Sequence, residues 1–196
     1  MGKLFVIMGK SASGKDTLYR LIMERHPELR PVVPYTTRPI RAGEKEGREY
    51  HFVTDETLHR MEKENRVVEC RCYETVKGLW NYFTADDGQI NLEEANSCLI
   101  STLEGYMGIR NYYGVQQVVP LYIAVDDFVR MDRSLKREKE QKNPCVAEVC
   151  RRFLADEADF SEEKLQQAGI TEEILNVSLQ EALEEIEKRI DKSLQK

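Results

Sequence analysis

No apolar run in this sequence is long enough to cross a bilayer. The longest, Leu4 to Met8 and Val118 to Val125, fall far short of the roughly 20 residues a membrane helix needs. No basic leader followed by an apolar stretch opens the chain, so it carries no secretory signature. Cysteines are few and odd in number, and none has the paired Cys-x-x-Cys spacing of a zinc site; Cys70 and Cys72 share one face of an expected strand, and Cys145 and Cys150 sit five apart. That usage predicts reduced, buried thiols. A strong positive charge is missing too: the net charge is −6, which argues against a nucleic-acid track. Internal repeats and low-complexity tracts are absent. What remains is a soluble, cytoplasmic chain with no membrane and no nucleic-acid partner, its oligomeric state left open.

The 41% hydrophobic and 33% charged content of the 196 residues excludes a disordered chain and suits one compact α/β unit with insertions. Acidic residues concentrate after Asp156, whereas Arg38, Arg41 and Arg48 form one basic cluster and Arg130 to Arg152 another. Two such clusters on a near-neutral background suit a small anionic ligand.

Leu4 to Ile7 reads as a strand buried on both faces of a parallel sheet. A small-residue loop follows, then a helix with Leu18, Leu21 and Ile22 on one face, ending near His26-Pro27. A second strand is predicted at Val32 to Tyr35. Further strands are expected at Tyr50 to Val53 and Arg66 to Tyr73, around a short helix from Asp55 to Asn65. Cys98 to Thr102 and Val118 to Val125 are predicted core strands, each after a helical stretch. The charged segment from Asp126 to Cys150, broken at Asn143-Pro144, reads as two helices with a mobile tip. A helix, a strand at Ile174 to Val177 and an acidic amphipathic helix close the chain. The alternation predicts an α/β, three-layer P-loop fold with a parallel sheet covered by helices. Its expected parts are a core at 1–35, 91–125 and 153–196, an inserted acceptor-binding subdomain at 36–90 and a helical lid at 126–152.

The first chemistry lies in Gly9-Lys10-Ser11-Ala12-Ser13-Gly14-Lys15-Asp16-Thr17. Two glycines five apart, followed by Lys between a strand and a helix, let successive backbone N–H groups point at phosphate oxygens. The helix start adds its positive dipole end. Gly9, Ser11, Ala12, Ser13, Gly14, Lys15, Asp16 and Thr17 are the expected triphosphate-binding residues, with Lys15 reaching the β- and γ-phosphates. Where this motif has Ser or Thr after the Lys, this chain has Asp16. Asp16, with the Thr17 hydroxyl beside it, is the expected Mg2+ site; a first-turn carboxylate placed for the helix dipole is the plainer alternative.

The second informative stretch runs from Tyr35 to Val53. Arg38, Arg41 and Tyr50 there suit one phosphate: two guanidinium forks and a phenol donor. The pattern Thr36-Thr37-Arg38-x-x-Arg41-x-Gly43-Glu44-x-x-Gly47-x-x-Tyr50-x-Phe52-Val53 resembles that of the guanylate kinases, and the resemblance extends over most of the chain. It implies ATP and GMP as ligands. It also implies that Arg38, Arg41, Tyr50 and Tyr82 hold the acceptor phosphate, that Glu69 takes the guanine N–H edge, and that Thr84 faces the guanine carbonyl. Tyr35 falls at a base-contacting position where the family has Ser, and Glu44 near metal and acceptor. Arg133, Arg137 and Arg152 match the family's lid arginines, which close over the triphosphate and with Lys15 stabilise the transferring group.

The chain departs from the family after the core strand. An Asp-x-Asp type sequence is replaced by Cys98-Leu-Ile-Ser-Thr-Leu-Glu-Gly105, so guanine selectivity is expected to be weakened. Two other readings stay open. Gly-Lys-Asp also looks like the ribose 1,5-bisphosphate kinases, and a non-catalytic guanylate-kinase-like binding module would share the architecture. His26, His51 and His59 form no catalytic or metal cluster, and Trp80 suits either base stacking or packing.

Overall fold

The computed structural model describes residues 1–41, 43–75 and 78–195. Strand β1, Leu4–Met8, is buried at all five positions, as a continuous apolar run in a parallel sheet should be. Helix α1 (Lys15–Arg25) follows the small-residue loop, and two short strands come next, β2 (Arg30–Pro31) and β3 (Tyr35–Thr36). Then come β4 (His51–Phe52), α2 (Asp55–Lys63), β5 (Val67–Thr75), β6 (Gly78–Ala85), β7 (Ser97–Ile100) and α3 (Leu103–Tyr113). The remainder is β8 (Val118–Ala124), α4 (Asp127–Lys139), α5 (Val146–Asp159), α6 (Glu162–Gln167), β9 (Ile174–Leu175) and α7 (Leu179–Leu194). One sheet has the order β2-β7-β1-β8-β9, with β2/β7 and β8/β9 parallel; the other has the order β4-β3-β6-β5. The α/β class predicted from the alternation is therefore the one observed.

The chain divides into two compact units. The first comprises 1–4, 28–99 and 104–119; the second comprises 5–27, 100–103 and 120–196. In the first, the antiparallel β5/β6 hairpin and helix α2 enclose Leu58, Met61, Phe83 and Ala85, with Tyr35, Val53 and Val67 against them. Thr54 starts α2 by accepting the Thr57 N–H at 3.3 Å. In the second, α7 begins at a Ser178 cap on the Glu181 N–H and buries Leu183, Ile186 and Ile190. Each such side chain contributes about 1.5–3 kcal/mol.

Three expectations are corrected. The strand predicted at Val32 to Tyr35 is split, because Pro31 and Pro34 have no N–H to give a ladder. Val32 N–H instead bonds Cys98 O at 3.0 Å, and Val33 N–H bonds the Gln89 side chain at 2.9 Å. No helix lies between β6 and β7; 86–96 is turn and loop. The thiols are not generally buried: Cys98 is, but Cys70, Cys72, Cys145 and Cys150 are exposed. Cys70 and Cys72 sit on β5, the end strand of its sheet, and Cys145 caps α5. Among the described residues no helix is long and apolar enough to cross a membrane.

Candidate active site

The Gly9–Gly14 loop is shaped by two close approaches. A Cβ on Gly9 would lie 2.5 Å from Ile123 O, and one on Gly14 would lie 2.5 Å from Asn176 Nδ2. Gly14 also has φ +86°, the left-handed region in which glycine carries no steric penalty. Asn176, 5% exposed, donates from Nδ2 to Ser13 O at 2.8 Å and so braces the loop from beneath. The Ser13 hydroxyl is buried without a hydrogen-bond partner. Ala12 has φ +62°, a conformation its Cβ resists. Ala12→Gly is therefore expected to stabilise the protein by about 0.5–1 kcal/mol, after the glycine's entropy is counted; urea unfolding monitored by circular dichroism measures it.

Around the loop lies a cavity of about 500 Å3. Lys15, Asp16 and Thr17 line it from the start of α1, and Arg133 and Arg137 line it from α4. Arg133 Nη1 also donates to Ala12 O at 3.4 Å. Arg152 lies elsewhere: with Arg137 it borders a narrow cleft of about 10 Å3, and its Nε donates to Glu148 at 2.8 Å. The Arg151 hydrogen bond, reinforced by Arg152, holds the Glu148 carboxyl down at about 2 against the upward push of burial. Two of the three expected lid arginines thus share one cavity with the loop, and the third is ion-paired along α5.

The sequence gives no sign of the residue that holds loop and helices together. Arg130, 1% exposed, donates to Asp127 Oδ1 at 2.7 Å, to Glu157 Oε1 at 2.7 Å and to Ser11 O at 3.3 Å. Its guanidinium lies 4.6 Å from the centre of the Phe153 ring. Asp156 Oδ2 accepts the Ser11 N–H at 2.8 Å, and Glu157 accepts Lys10 Nζ at 2.6 Å. One Arg among several in a charged helix and two acids on the next helix read as solvated surface; only the burial of Arg130 and its partners identify them.

The expected acceptor residues belong to the first unit. Arg38, 3% exposed, meets Glu44 through two bonds of 2.7 and 2.6 Å, and its Nε is buried without a partner. The Arg38 hydrogen bonds hold the Glu44 carboxyl at about 2, overcoming burial; the Arg41 N–H adds to this at 2.8 Å. Arg38 also lies 5.1 Å from the Tyr50 ring centre, and Tyr50 meets Tyr82 edge-on at 5.5 Å. The exposed Arg41 lies over Trp80 at 5.8 Å. Tyr35 stacks on Phe83 and donates its hydroxyl to Asp87 at 2.5 Å. Burial and the Asp87 contact push the Tyr35 hydroxyl far above its ordinary value. Burial opposes charge on Asp87, yet hydrogen bonds from Tyr35 and Gln89 hold its carboxyl below the usual range.

Glu69 and Thr84 face each other across the β5/β6 pairing, and Thr84 Oγ1 donates to Glu69 Oε1 at 2.8 Å. Glu69 is also ion-paired to Arg71 at 2.9 Å, a partner that sequence reading does not single out. On α3, a Cβ at Gly108 would stand 2.5 Å from Glu69 Cβ, so this glycine makes room for the acidic side chain.

The family model described as guanylate kinase matches residues 1–91. A guanylate kinase of Nostoc sp. is 27% identical over 190 residues, 95% of this chain and 88% of that protein. One of Chlorobaculum tepidum is 29% identical over 163 residues, 82% of this chain and 72% of that protein. A shorter match, to a guanylate kinase of Frankia casuarinae, reaches 50% identity over 66 residues, 34% of this chain and 36% of that protein. The crystal structure of guanylate kinase from Anaplasma phagocytophilum superposes with a TM-score of 0.72 at 19% identity, covering all of this chain and 87% of that one. That last likeness concerns the fold.

Proposed function

We propose that this chain is a member of the guanylate kinase family, to which it is similar, and transfers the γ-phosphoryl group of ATP to GMP, giving ADP and GDP. The observation that carries the reading is one cavity in which Lys15, Arg133 and Arg137 join the phosphate-loop backbone. Three cationic side chains around a cradle of amides match a triphosphate in charge and shape.

The acceptor phosphate is already an anionic nucleophile, so no general base is required. One of its oxygens bonds to the γ-phosphorus, the bond from that phosphorus to the β-bridging oxygen breaks, and ADP leaves. Catalysis is then positioning and neutralisation of charge. Lys15, Arg133 and Arg137 supply positive charge on the donor side, and Arg152 joins them when it leaves Glu148. Gly9, Ala12 and Gly14 bind through their backbone, and Ser11 and Ser13 do so as their N–H groups exchange Asp156 Oδ2 and Lys10 O for phosphate. Arg38, Arg41, Tyr50 and Tyr82 hold the acceptor phosphate, which competes with Glu44 for the Arg38 fork and gives the buried Arg38 Nε a partner. Tyr35, Glu69 and Thr84 line the base side. Water, which would otherwise hydrolyse ATP, must be excluded while both substrates are bound.

A divalent cation, Mg2+, fits the donor set. The Asp16 carboxylate and Thr17 hydroxyl are exposed hard oxygens in the loop cavity. No group of three His, Cys, Asp or Glu stands ready to cage a metal among the described residues. That suits an ion held mostly by phosphate oxygens and water. When bound, Mg2+ neutralises charge on the β- and γ-phosphates. Asp16→Ser is expected to raise the Mg2+ concentration for half-maximal rate several-fold; an unchanged Mg2+ titration removes Asp16 from this role.

The direct test is a panel of GMP, dGMP, AMP, IMP and ribose phosphates with ATP and Mg2+. GDP formation from GMP is the expected result, and calorimetry is expected to record ATP binding. Transfer to ribose phosphates alone, or no ATP binding, overturns the reading. The protein works in the cytoplasm, where fractionation is expected to recover it in the soluble extract.

A further inference from the structure

Glu69 and Arg71 are two residues apart on β5 and therefore project from the same face of the strand. Their side chains are 6% and 10% exposed. The Arg71 fork takes both carboxylate oxygens: Nε to Oε2 at 2.9 Å and Nη2 to Oε1 at 3.3 Å. Thr84, 1% exposed and opposite Glu69 in the register, spends its only hydroxyl proton on the same Oε1. Gly108 backs the group so closely that any larger residue would press on Glu69. A buried, triply bonded carboxylate of this kind is held in place; breaking one partner away leaves a charge without compensation.

Guanine presents N1–H and the 2-amino N–H side by side; hypoxanthine keeps N1–H and lacks the 2-amino group. A carboxylate reads that edge by offering one lone pair from each oxygen, side by side. In this protein the side-by-side positions are occupied by the guanidinium, and the neutralised carboxylate is a weaker acceptor for what remains. The Thr84 proton, which would be needed to donate to a base carbonyl, is likewise committed to Glu69.

We infer that Arg71 sets the base specificity of the acceptor pocket by engaging Glu69, so that 6-oxopurine monophosphates with and without the 2-amino group are accepted comparably. The inference rests on the acceptor site proposed above. It makes Arg71 a positioning residue: it acts through Glu69.

The test compares kcat/KM for GMP and for IMP, with ATP and Mg2+, in the natural protein and in Arg71→Ala. In the natural protein the GMP:IMP ratio is expected to lie within about tenfold, against the 10⁴–10⁵ typical of a site built to hydrogen-bond a substrate N–H. Arg71→Ala frees Glu69 and is expected to raise the ratio by about tenfold or more, mainly through a lower KM for GMP. A merely structural ion pair would lower use of both acceptors equally and leave the ratio where it was, and that result in a variant with a cooperative melt overturns the inference. Should Arg71→Ala fail to fold, the natural protein decides by itself, since a ratio above about tenfold overturns the inference while leaving GMP phosphorylation in place. Failure of every nucleoside monophosphate as acceptor overturns the proposed function, and this inference with it.

Discussion

Lys15→Ala is expected to lower kcat by about 10³-fold or more, the scale of losing a preorganised charge at a transferring phosphoryl group. Lys15 opens α1 and lines the loop cavity, half-exposed and outside the apolar core. Its removal deletes a cation without opening a hole in packing, so the thermal melt is expected to stay within about 2 °C of the natural protein. Rapid-quench measurement of ADP formation, paired with calorimetric titration of ATP, separates loss of chemistry from loss of binding. A variant that retains kcat while binding ATP more weakly would limit Lys15 to a ground-state contact.

The second large effect is expected at Arg38. Arg38→Ala should reduce kcat/KM for the acceptor by about 10²–10³-fold while leaving ATP binding intact, because a bidentate guanidinium is lost on the acceptor side alone. The same variant alters a titration. Glu44, held at about 2 by the Arg38 hydrogen bonds, is expected to move up toward its ordinary value of 4.5. A carboxyl depressed by folding stabilises the folded state above its ordinary value, and that contribution disappears as pH falls toward the depressed one. Between about pH 4.5 and 2 the natural protein therefore loses the Glu44 contribution gradually, whereas the variant lacks the larger part that Arg38 supplies. Carboxyl-carbon NMR of Glu44 and acid unfolding of both proteins measure this. A Glu44 carboxyl that titrates alike in the two would mean that Arg38 does not hold it.

The elements legible in the sequence are those whose determinants are local. The run Leu4 to Met8, the glycines at 9 and 14 and the helical spacing of Leu18 and Ile22 fall within one short stretch, and strand, loop and helix appear there as expected. Val32 to Tyr35 misleads because β-branched residues suggest a strand while the flanking prolines remove two ladder donors. Cys70 and Cys72 mislead because exposure on an end strand depends on what pairs with it. Arg71, Arg130, Asp156 and Asn176 are invisible in sequence for a different reason. Each is an ordinary polar residue whose importance comes from the partner that burial gives it.

Asn176 sets the limit on how early the nucleotide cradle can exist. The loop motif is written in the first seventeen residues, but the amide that braces Ser13 arrives 163 positions later, and the carboxylate that fixes the Ser11 N–H arrives 145 positions later. A chain emerging from the ribosome carries the motif long before it carries the brace. The grip on a triphosphate proposed for this loop thus awaits synthesis of the segments that carry Asp156 and Asn176.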